Sequence, residues 1–233
     1  MKILFITDNF PPERNAPAKR TFEHTKQWAK IGHDVTIITG APNFPKGKVF
    51  NGYRNKIYQS QIKDRILIKR VWTYIAPNKG FALRIIDYIS FMISSIVCGL
   101  FTKKHDIVIA TSPQFFSAIS GYFISIFKRS AFILEIRDLW PESIVTVGAM
   151  NESSFIIKVL YKISLFLYKK AKIIVCVTNS FKQDLINKGI EPRKIIVIKN
   201  GFNIESIIPP TKTIAQIENE YKLNRNDFII SFI

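Results

Sequence analysis

The sequence contains few of the side chains that crosslink small extracellular domains or bind transition metals. Of its 233 residues, 2 are cysteine and 3 are histidine. Both cysteines, Cys98 and Cys176, lie inside apolar runs, so neither a disulfide framework nor a zinc site is expected. No pair of histidines has the spacing of metal ligands. We therefore expect a protein of a reducing compartment with no bound metal and no other cofactor.

Acidic residues are also scarce. The chain has 17 Asp and Glu against 34 Lys and Arg, which gives a formal net charge of +17. Such an excess of positive charge indicates an anionic partner. Nucleic acid, an anionic membrane surface and a phosphorylated substrate all meet this requirement.

Long apolar runs are missing as well. The run at residues 3–6 is interrupted by Asp8, so we expect no secretory signal. Residues 88–101 carry no charge, but they are fewer than the roughly 20 residues that a membrane-spanning helix needs. This run therefore predicts either a core helix or a helix that lies at a membrane surface.

What the sequence does contain is a regular alternation of short apolar runs with segments of helical length. This alternation predicts an α/β fold with a doubly wound, mostly parallel, Rossmann-like sheet. Residues 40–64, rich in Pro, Gly and Asn, indicate an excursion with a short hairpin. The expected strands are residues 2–7, 34–39, 66–72, 106–110, 131–136, 172–177 and 194–198. The expected helices begin at Pro17 and Pro113 or cover residues 81–101, 154–170 and 181–188.

The character of the sequence changes after Asn200 and Gly201. A linker with two adjacent prolines, a short polar helix near residues 215–221 and an apolar run at 228–233 follow. The last run has the pattern of a strand that opens a new unit. We expect one domain over residues 1–205, and over 206–233 a linker with the first strand of a second domain that this chain does not contain.

Charged side chains are concentrated at residues 135–143, E-I-R-D-L-W-P-E-S, directly after an apolar strand. Ligands of open α/β sheets bind beyond the carboxyl ends of the strands, so this stretch is the first candidate for a functional site. Glu135 and Arg137 point to the same side of the strand and can pair with each other. Asp138 lies at the strand exit, where it could accept from backbone amides, act as a proton acceptor or bind a sugar hydroxyl.

Two other strand ends carry polar candidates. Asn15, Lys19 and Arg20 lie near a helix N-terminus, which suits an anionic or hydroxyl-rich ligand. The alternative is that Asn15 caps the helix and the two cations are solvated. Ser112 has the pattern of a helix cap, although the same backbone amides could hold a phosphate. The first strand is not followed by G-x-G-x-x-G, which argues against a dinucleotide site.

The helix expected at residues 154–170 is basic and amphipathic. Lys158, Lys162 and Lys169 recur at spacings that place them on one face, a pattern typical of binding to an anionic membrane surface. At about 1 kcal/mol for each cation, three to five of them would supply roughly 3 to 5 kcal/mol, enough for reversible attachment. The alternative is an ordinary amphipathic helix with a solvated lysine face.

Several segments together resemble the N-terminal domain of group 4 retaining glycosyltransferases of the GT-B fold. The resemblance extends over residues 1 to about 205. It is closest to bacterial enzymes, including fucosamine transferases, that build O-antigen, capsule or colanic-acid repeat units. The segments are F-I-T-D-N-F-P-P-E, K-I-G-H-D-V-T-I-I-T, A-P-N-F-P-K-G, A-T-S-P-Q-F-F, R-D-L-W-P-E-S and V-I-K-N-G-F.

This resemblance implies two Rossmann-like domains that face each other across a cleft. The N-terminal domain would bind the acceptor, a saccharide on undecaprenyl diphosphate, and the C-terminal domain would bind the nucleotide-sugar donor, usually a UDP-sugar. The resemblance also implies a hinge at Asn200 and Gly201. The catalytic candidates are then Asp138 and Glu142, and the acceptor- or phosphate-binding candidates are Asn15, Lys19, Arg20, Ser112 and Arg137.

The expected function is therefore transfer of a hexosyl or N-acetylhexosaminyl group in bacterial surface polysaccharide synthesis. We expect a cytoplasmic protein that is peripheral at the inner face of the cytoplasmic membrane, and we expect this chain alone to be inactive. A catalytically inactive membrane- or lipid-binding fragment is the alternative. A nucleic-acid binder is not expected, because no recognised nucleic-acid module is visible.

Overall fold

The strands in the described part of the chain form one sheet. The computed structural model describes residues 1–75, 81–112, 115–201, 211–224 and 228. The strands run in the order β3-β4-β2-β1-β5-β6-β7-β8 across an eight-stranded sheet. In chain order they are β1 (Lys2–Ile6), β2 (Asp34–Thr39), β3 (Tyr58–Lys63), β4 (Ile66–Val71), β5 (Ile107–Thr111), β6 (Ala131–Ile136), β7 (Ile173–Cys176) and β8 (Ile195–Val197).

Every neighbouring pair of strands is parallel except β3 and β4. Those two strands form an antiparallel hairpin at one edge of the sheet. Its turn consists of Asp64 and Arg65, whose φ angles of 50° and 63° are those of a primed turn. The hairpin was predicted within residues 40–64, ahead of the strand at 66–72; the observed one instead pairs the end of that segment with this strand.

Helices connect the parallel strands. They begin where the sequence supplies caps: the side chains of Asn15, Ser154 and Thr178 each accept from a backbone amide in the first helical turn. The expected helix start at Pro113 lies outside the described residues. The helices are α1 (Ala16–Lys30), α2 (Phe81–Leu100), α3 (Phe115–Lys128), α4 (Glu142–Thr146), α5 (Phe155–Lys170), α6 (Asn179–Asn187) and α7 (Ile214–Tyr221), with a short 3₁₀ helix at Pro192–Lys194.

The two faces of the sheet have different coverings. Alternate residues of each strand point to opposite faces, so Leu4 and Ile6 join the core beneath α2, α3, α5 and α6. Ile3 and Phe5 join the core on the other face, which α1 covers with Ala29 and Trp28. Helices on both faces of a mostly parallel sheet confirm the predicted doubly wound α/β fold.

The chain divides into two compact units, Met1–Asn200 and Gly201–Ile233. The second unit contains α7, which begins with a capping box between Thr213 and Gln216. The short polar helix that was expected near residues 215–221 is therefore observed. The predicted boundary after residue 205 and the predicted terminal strand stay predictions, because residues 202–210 and most of 225–233 lie outside the described part of the chain.

Candidate functional site

The carboxyl ends of the central strands bring the polar candidates of the first unit to one edge of the sheet. Parallel register pairs Ile6 with Ala110 and Thr111 with Glu135. The segments that leave β1, β5 and β6 therefore start side by side. This is the edge at which ligands of open α/β sheets bind.

Arg20 is held by internal partners at this edge. Its Nε donates to Glu135 Oε1 at 2.9 Å and its Nη1 donates to Asn200 Oδ1 at 2.7 Å. The Nη2 donor lies 2.9 Å from Glu135 Oε1 and bonds the carbonyl oxygen of Ile198 at 3.3 Å. Both charged side chains are 6% exposed. Arg20 thus joins α1, β6 and the segment that follows β8.

The pairing expected between Glu135 and Arg137 is wrong. Glu135 pairs with Arg20 because α1 packs on the face to which Glu135 points, and this brings a cation from 115 residues away. The sequence predicted a local pair because the two side chains lie on the same side of one strand. In the folded chain the partner of Glu135 comes from a distant helix instead.

Arg137 is left with unused donors. Its Nε and Nη1 are buried and have no hydrogen-bond partner among the described residues, and the same holds for Glu135 Oε2. Burial lowers the pKa of the Arg137 guanidinium, and Glu135 acts in the opposite direction. A buried guanidinium with free donors is costly unless an acceptor completes it. An anionic ligand is an acceptor of the required kind.

Ser112 fixes the strand exit that carries Asp138. Its hydroxyl accepts from the backbone amide of Arg137 at 3.1 Å and donates to the carbonyl oxygen of Asp138 at 3.2 Å. Ser112 therefore orients the end of β6. A cavity of about 10 Å³ beside Ser112 and Asp138 has room for about one water molecule, so the first unit does not enclose a sugar there.

The aromatic residue after Asp138 anchors the same segment to the helices below. The Trp140 ring stacks on Phe115 with centroids 6.0 Å apart and meets Tyr88 edge-on at 6.5 Å. Tyr168 donates to the carbonyl oxygen of Trp140 at 3.5 Å. These contacts hold the stretch that leaves β6 against α2, α3 and α5.

The loop after β1 contributes amides. Asn15 Oδ1 accepts from the amide of Ala18 at 2.9 Å, which makes Asn15 the cap of α1, and Asn15 Nδ2 donates to Asn9 Oδ1 at 2.6 Å. Lys19, one turn into the helix, is exposed. The capping alternative for Asn15 is therefore observed, and its side-chain amide also joins Asn9 in the same loop.

Glu142, at the start of α4, is engaged by another element. Lys188, at the C-terminal end of α6, forms ion pairs with both Glu142 and Asp184. Burial tends to lower the pKa of Lys188, but its hydrogen bonds to the two carboxylates outweigh that effect and raise it. Glu142 Oε2 is buried without a partner in the described part of the chain.

An acidic cluster that the sequence did not reveal lies at the end of β1. Burial, followed by the charges of Asp87 and Glu13, raises the pKa of Asp8 well above its ordinary value. Burial and Glu13 raise the pKa of Asp87 to about 6. Glu13 Oε1 accepts from the amides of Asn43 and Phe44 at 2.8 and 2.9 Å. Asp87 belongs to α2, and only packing brings it to Asp8.

The remaining candidates stand apart from this cluster. Asn200 is bonded to Arg20, and Gly201 follows it at the boundary between the two units. Lys158, Lys162 and Lys169 are exposed along α5. Within the described ranges, no group of His, Cys, Asp and Glu side chains has the arrangement of a metal site.

Comparison with known proteins gives the fold and the edge a family context. The family model for Glycosyltransferase Family 4 matches residues 18–206. The putative colanic acid biosynthesis glycosyl transferase WcaI of Escherichia coli (strain K12) is 25% identical over 150 residues, which are 64% of this chain and 37% of that protein.

Two solved structures share the fold at low identity. Anabaena Alr3699/HepE in complex with UDP-glucose matches with a TM-score of 0.59 and 13% identity, over 95% of this chain and 50% of that one. The catalytic domain of starch synthase IV from Arabidopsis thaliana, bound to ADP and acarbose, matches with a TM-score of 0.57 and 11% identity, over 88% of this chain and 52% of that one.

The chain spans only part of the length of the proteins that it matches. It spans 37% of the curated relative and about half of each of the two solved structures. The family model covers well over half of the chain, and the parallel sheet agrees with the resemblance stated from its motifs. The protein therefore belongs to Glycosyltransferase Family 4 and carries the N-terminal domain of a GT-B glycosyltransferase.

Proposed function

We propose that this chain is the acceptor-binding half of a glycosyltransferase that moves a sugar from a nucleotide-sugar to a lipid-linked saccharide. Its family membership supports sugar transfer, and a fold neighbour in complex with UDP-glucose supports a UDP-sugar as donor. The name of the curated relative refers to colanic acid biosynthesis, which supports a role in bacterial surface polysaccharide synthesis. The transferred group is then a hexosyl or N-acetylhexosaminyl unit, and the acceptor is a saccharide on undecaprenyl diphosphate.

The observation that carries this proposal is the unsatisfied guanidinium of Arg137 next to Asp138. Diphosphate oxygens that accept from Nε and from Nη1, which lie on different edges of the guanidinium, would complete both donors through charge-assisted hydrogen bonds. Asp138, at the same strand exit, is the group placed to accept the proton of an attacking acceptor hydroxyl. Ser112 contributes by holding that exit in place.

Other candidates take supporting roles in this proposal. Arg20 donates to Glu135 and Asn200, so in this proposal it positions the hinge at Asn200 and Gly201. Asn15 and Lys19 lie at the mouth of the loop after β1, where hydroxyls and phosphates of either substrate would pass. Glu142, through Lys188, ties α4 to α6 and thereby supports the wall that carries Asp138. Charge that develops on the leaving nucleotide is stabilised electrostatically in reactions of this kind.

The membrane-facing element of the proposal is α5. Lys158, Lys162 and Lys169 are exposed on it, and so are Phe155 and Ile156. A mixed basic and apolar face suits the surface of an anionic bilayer. It would keep the protein at the inner face of the cytoplasmic membrane, where a lipid-linked acceptor is found.

Binding of the diphosphate can be tested without the second domain. Calorimetric titration of the 233-residue chain with a soluble short-chain prenyl diphosphate sugar should show binding, and the same sugar on an uncharged prenyl alcohol should bind at least about tenfold more weakly, since one charge-assisted pair is worth about 1.5–3 kcal/mol. Arg137→Gln should cost a similar factor. Arg193→Gln, which removes the same charge from an exposed site, is the matched control.

Two results would contradict the proposal. The first is equal binding of the charged and uncharged ligands by the wild-type chain, and the second is unchanged binding in Arg137→Gln. A separate test is turnover: the chain with a UDP-sugar and the lipid-linked acceptor should give no glycosylated product. Product formation by the chain alone would overturn the assignment of the donor site to a second domain.

A further inference from the structure

The outer side of the helix layer formed by α2, α3 and α5 exposes large apolar side chains. On α2 they recur every three or four residues, so they lie along one side of the helix. Exposure reaches 55% at Ile93 and 86% at Phe101. We call the following set the outer apolar surface: Ile86, Ile89, Ile93, Val97 and Leu100 of α2, Phe101 after it, Phe123, Ile126 and Phe127 of α3, and Phe166 of α5.

Direct contacts make this set one surface. Ser95 of α2 and Ser120 of α3 share a buried hydrogen bond of 2.8 Å. Lys128, the last residue of α3, donates to the carbonyl oxygen of Leu100 at 2.6 Å. Between α3 and α5, the rings of Tyr122 and Phe166 meet edge-on at 5.2 Å. The C-terminal halves of the three helices are therefore fixed side by side.

The C-terminal parts of the same helices carry cations and no acidic side chain. Residues 97–105, 122–131 and 162–172 contain neither Asp nor Glu. The ammonium group of Lys170 lies 5.6 Å from the centre of the Phe166 ring, so charge directly adjoins the apolar side chains. We call these cations the basic rim: Lys103, Lys104, Lys128, Arg129, Lys162, Lys169, Lys170 and Lys172.

The helix α2 packs within the helix layer of the protein. Its window Leu83–Leu100 has a mean hydropathy of 1.6, so by length and composition it could span one. However, Phe91 and Ser95 are fully buried against the sheet and α3. A spanning orientation would withdraw both from the core. The exposed side of α2 is thus available only along the plane of a surface.

We propose that the outer apolar surface, with its basic rim, inserts into the headgroup region of an anionic lipid bilayer. This rests on the proposed membrane location and deepens it, because α5 alone would give electrostatic attachment while the outer apolar surface adds insertion. Apolar side chains enter the acyl boundary, and the rim cations pair with anionic headgroups. The apolar part of the surface thus matches the acyl region of the bilayer, and the basic rim matches its anionic headgroups.

A second copy of this chain fits the surface poorly. A symmetric dimer would place the same patch against itself, so each basic rim would face another basic rim. Like charges brought together in this way oppose association. The bilayer is therefore the occupant that the charge pattern favours.

Co-flotation with vesicles tests the inference. The 233-residue chain should bind vesicles containing about 30% phosphatidylglycerol in phosphatidylcholine, and part of that binding should survive about 1 M salt, where surface electrostatics are screened. Phe101→Ser with Phe127→Ser should lower the partition coefficient by at least about tenfold, because each removes a large apolar group from the lipid. A tryptophan at position 127 (F127W) should be quenched by shallow nitroxide lipids.

The matched control is Ile57→Ser with Ile62→Ser, which removes apolar residues that are 86% and 77% exposed near the hairpin edge of the sheet. It should bind vesicles like the wild type.

Binding that disappears completely at high salt and is unchanged in the phenylalanine double variant would overturn insertion and leave only attachment through α5. A salt-resistant dimer that the double variant dissociates, with no effect on vesicles, would assign the surface to a second copy. Loss of vesicle binding with intact diphosphate binding would remove the membrane proposals and leave the acceptor site.

Discussion

Two regions at the same edge of the sheet bury charge of opposite sign. Near β6, Arg20 pairs with the carboxylate of Glu135, and the guanidinium of Arg137 lies near both. Near β1, Asp8, Glu13 and Asp87 lie together, with the Arg70 guanidinium as the nearby cation. In the basic region Arg20 and Glu135 form an ion pair, whereas in the acidic region burial raises the pKa values of Asp8 and Asp87. The difference shows two ways in which one fold can hold charge at the carboxyl edge of its sheet.

The largest expected effect is in the basic region. Glu135→Ala would leave Arg20 buried without its counter-ion, and removal of one partner of a buried pair costs about 3–5 kcal/mol. Urea unfolding should show this loss of free energy of unfolding. Glu191→Ala breaks an exposed pair with Arg193 and should cost at most about 1 kcal/mol. Equal effects in the two variants would show that the Arg20 pair is not a structural element.

The second effect tests the cation of the acidic region. Arg70 is 2% exposed and donates to the carbonyl oxygens of Gly40 and Pro11 at 2.8 and 2.6 Å. Arg70→Met should cost about 2–4 kcal/mol, since it leaves two buried carbonyl groups unpaired. Lys69→Met, at the neighbouring position of β4 on the other face, is the matched control and should cost well under about 1 kcal/mol. A loss in both variants would point to a general effect of charge on β4.

The third effect has the opposite sign. Because the pKa of Asp87 is raised from 3.8 to about 6 in the folded chain, the folded state holds a proton that the unfolded chain releases between these values. Stability therefore falls as pH rises through this window, and the cost is complete above about pH 6. Asp87→Asn should raise the free energy of unfolding by on the order of 1–2 kcal/mol near pH 7.5 and change it little near pH 4.

Urea titrations of wild type and Asp87→Asn at several pH values give this difference, and Asp64→Asn in the exposed hairpin turn is the control for loss of an acidic residue. A variant that is less stable than wild type at neutral pH would show that the Asp87 carboxylate is paired and not repelled. The acidic region would then resemble the basic one.

The sequence predicted the fold more completely than the contacts at the edge. Apolar runs and a cap such as Asn15 are local signals, and the strands and helices that they predict are observed in the described part of the first unit. The carboxyl edge followed from the parallel sheet. By contrast, the pairing of Glu135 with Arg20 joins residues 115 positions apart, and α2 brings Asp87 to Asp8 only through packing. Such contacts depend on which helix covers which face, a property that periodicity does not encode.

The smallest expected effect on stability is also the sharpest test of the basic region. Arg137→Met removes a guanidinium whose Nε and Nη1 have no partner in the part of the chain that the structure describes, while Glu135 keeps its pair with Arg20. The free energy of unfolding should therefore change by no more than about 1 kcal/mol in either direction, whereas Arg20→Met should cost about 3–5 kcal/mol because it leaves Glu135 unpaired. Urea unfolding measures both variants, and titration with the prenyl diphosphate sugar measures what Arg137→Met loses in binding.

If Arg137→Met unfolds as readily as Arg20→Met, both arginines stabilise the folded state. If instead Arg137→Met stays folded and no longer distinguishes the charged from the uncharged ligand, Arg20 stabilises the edge and Arg137 binds the anion.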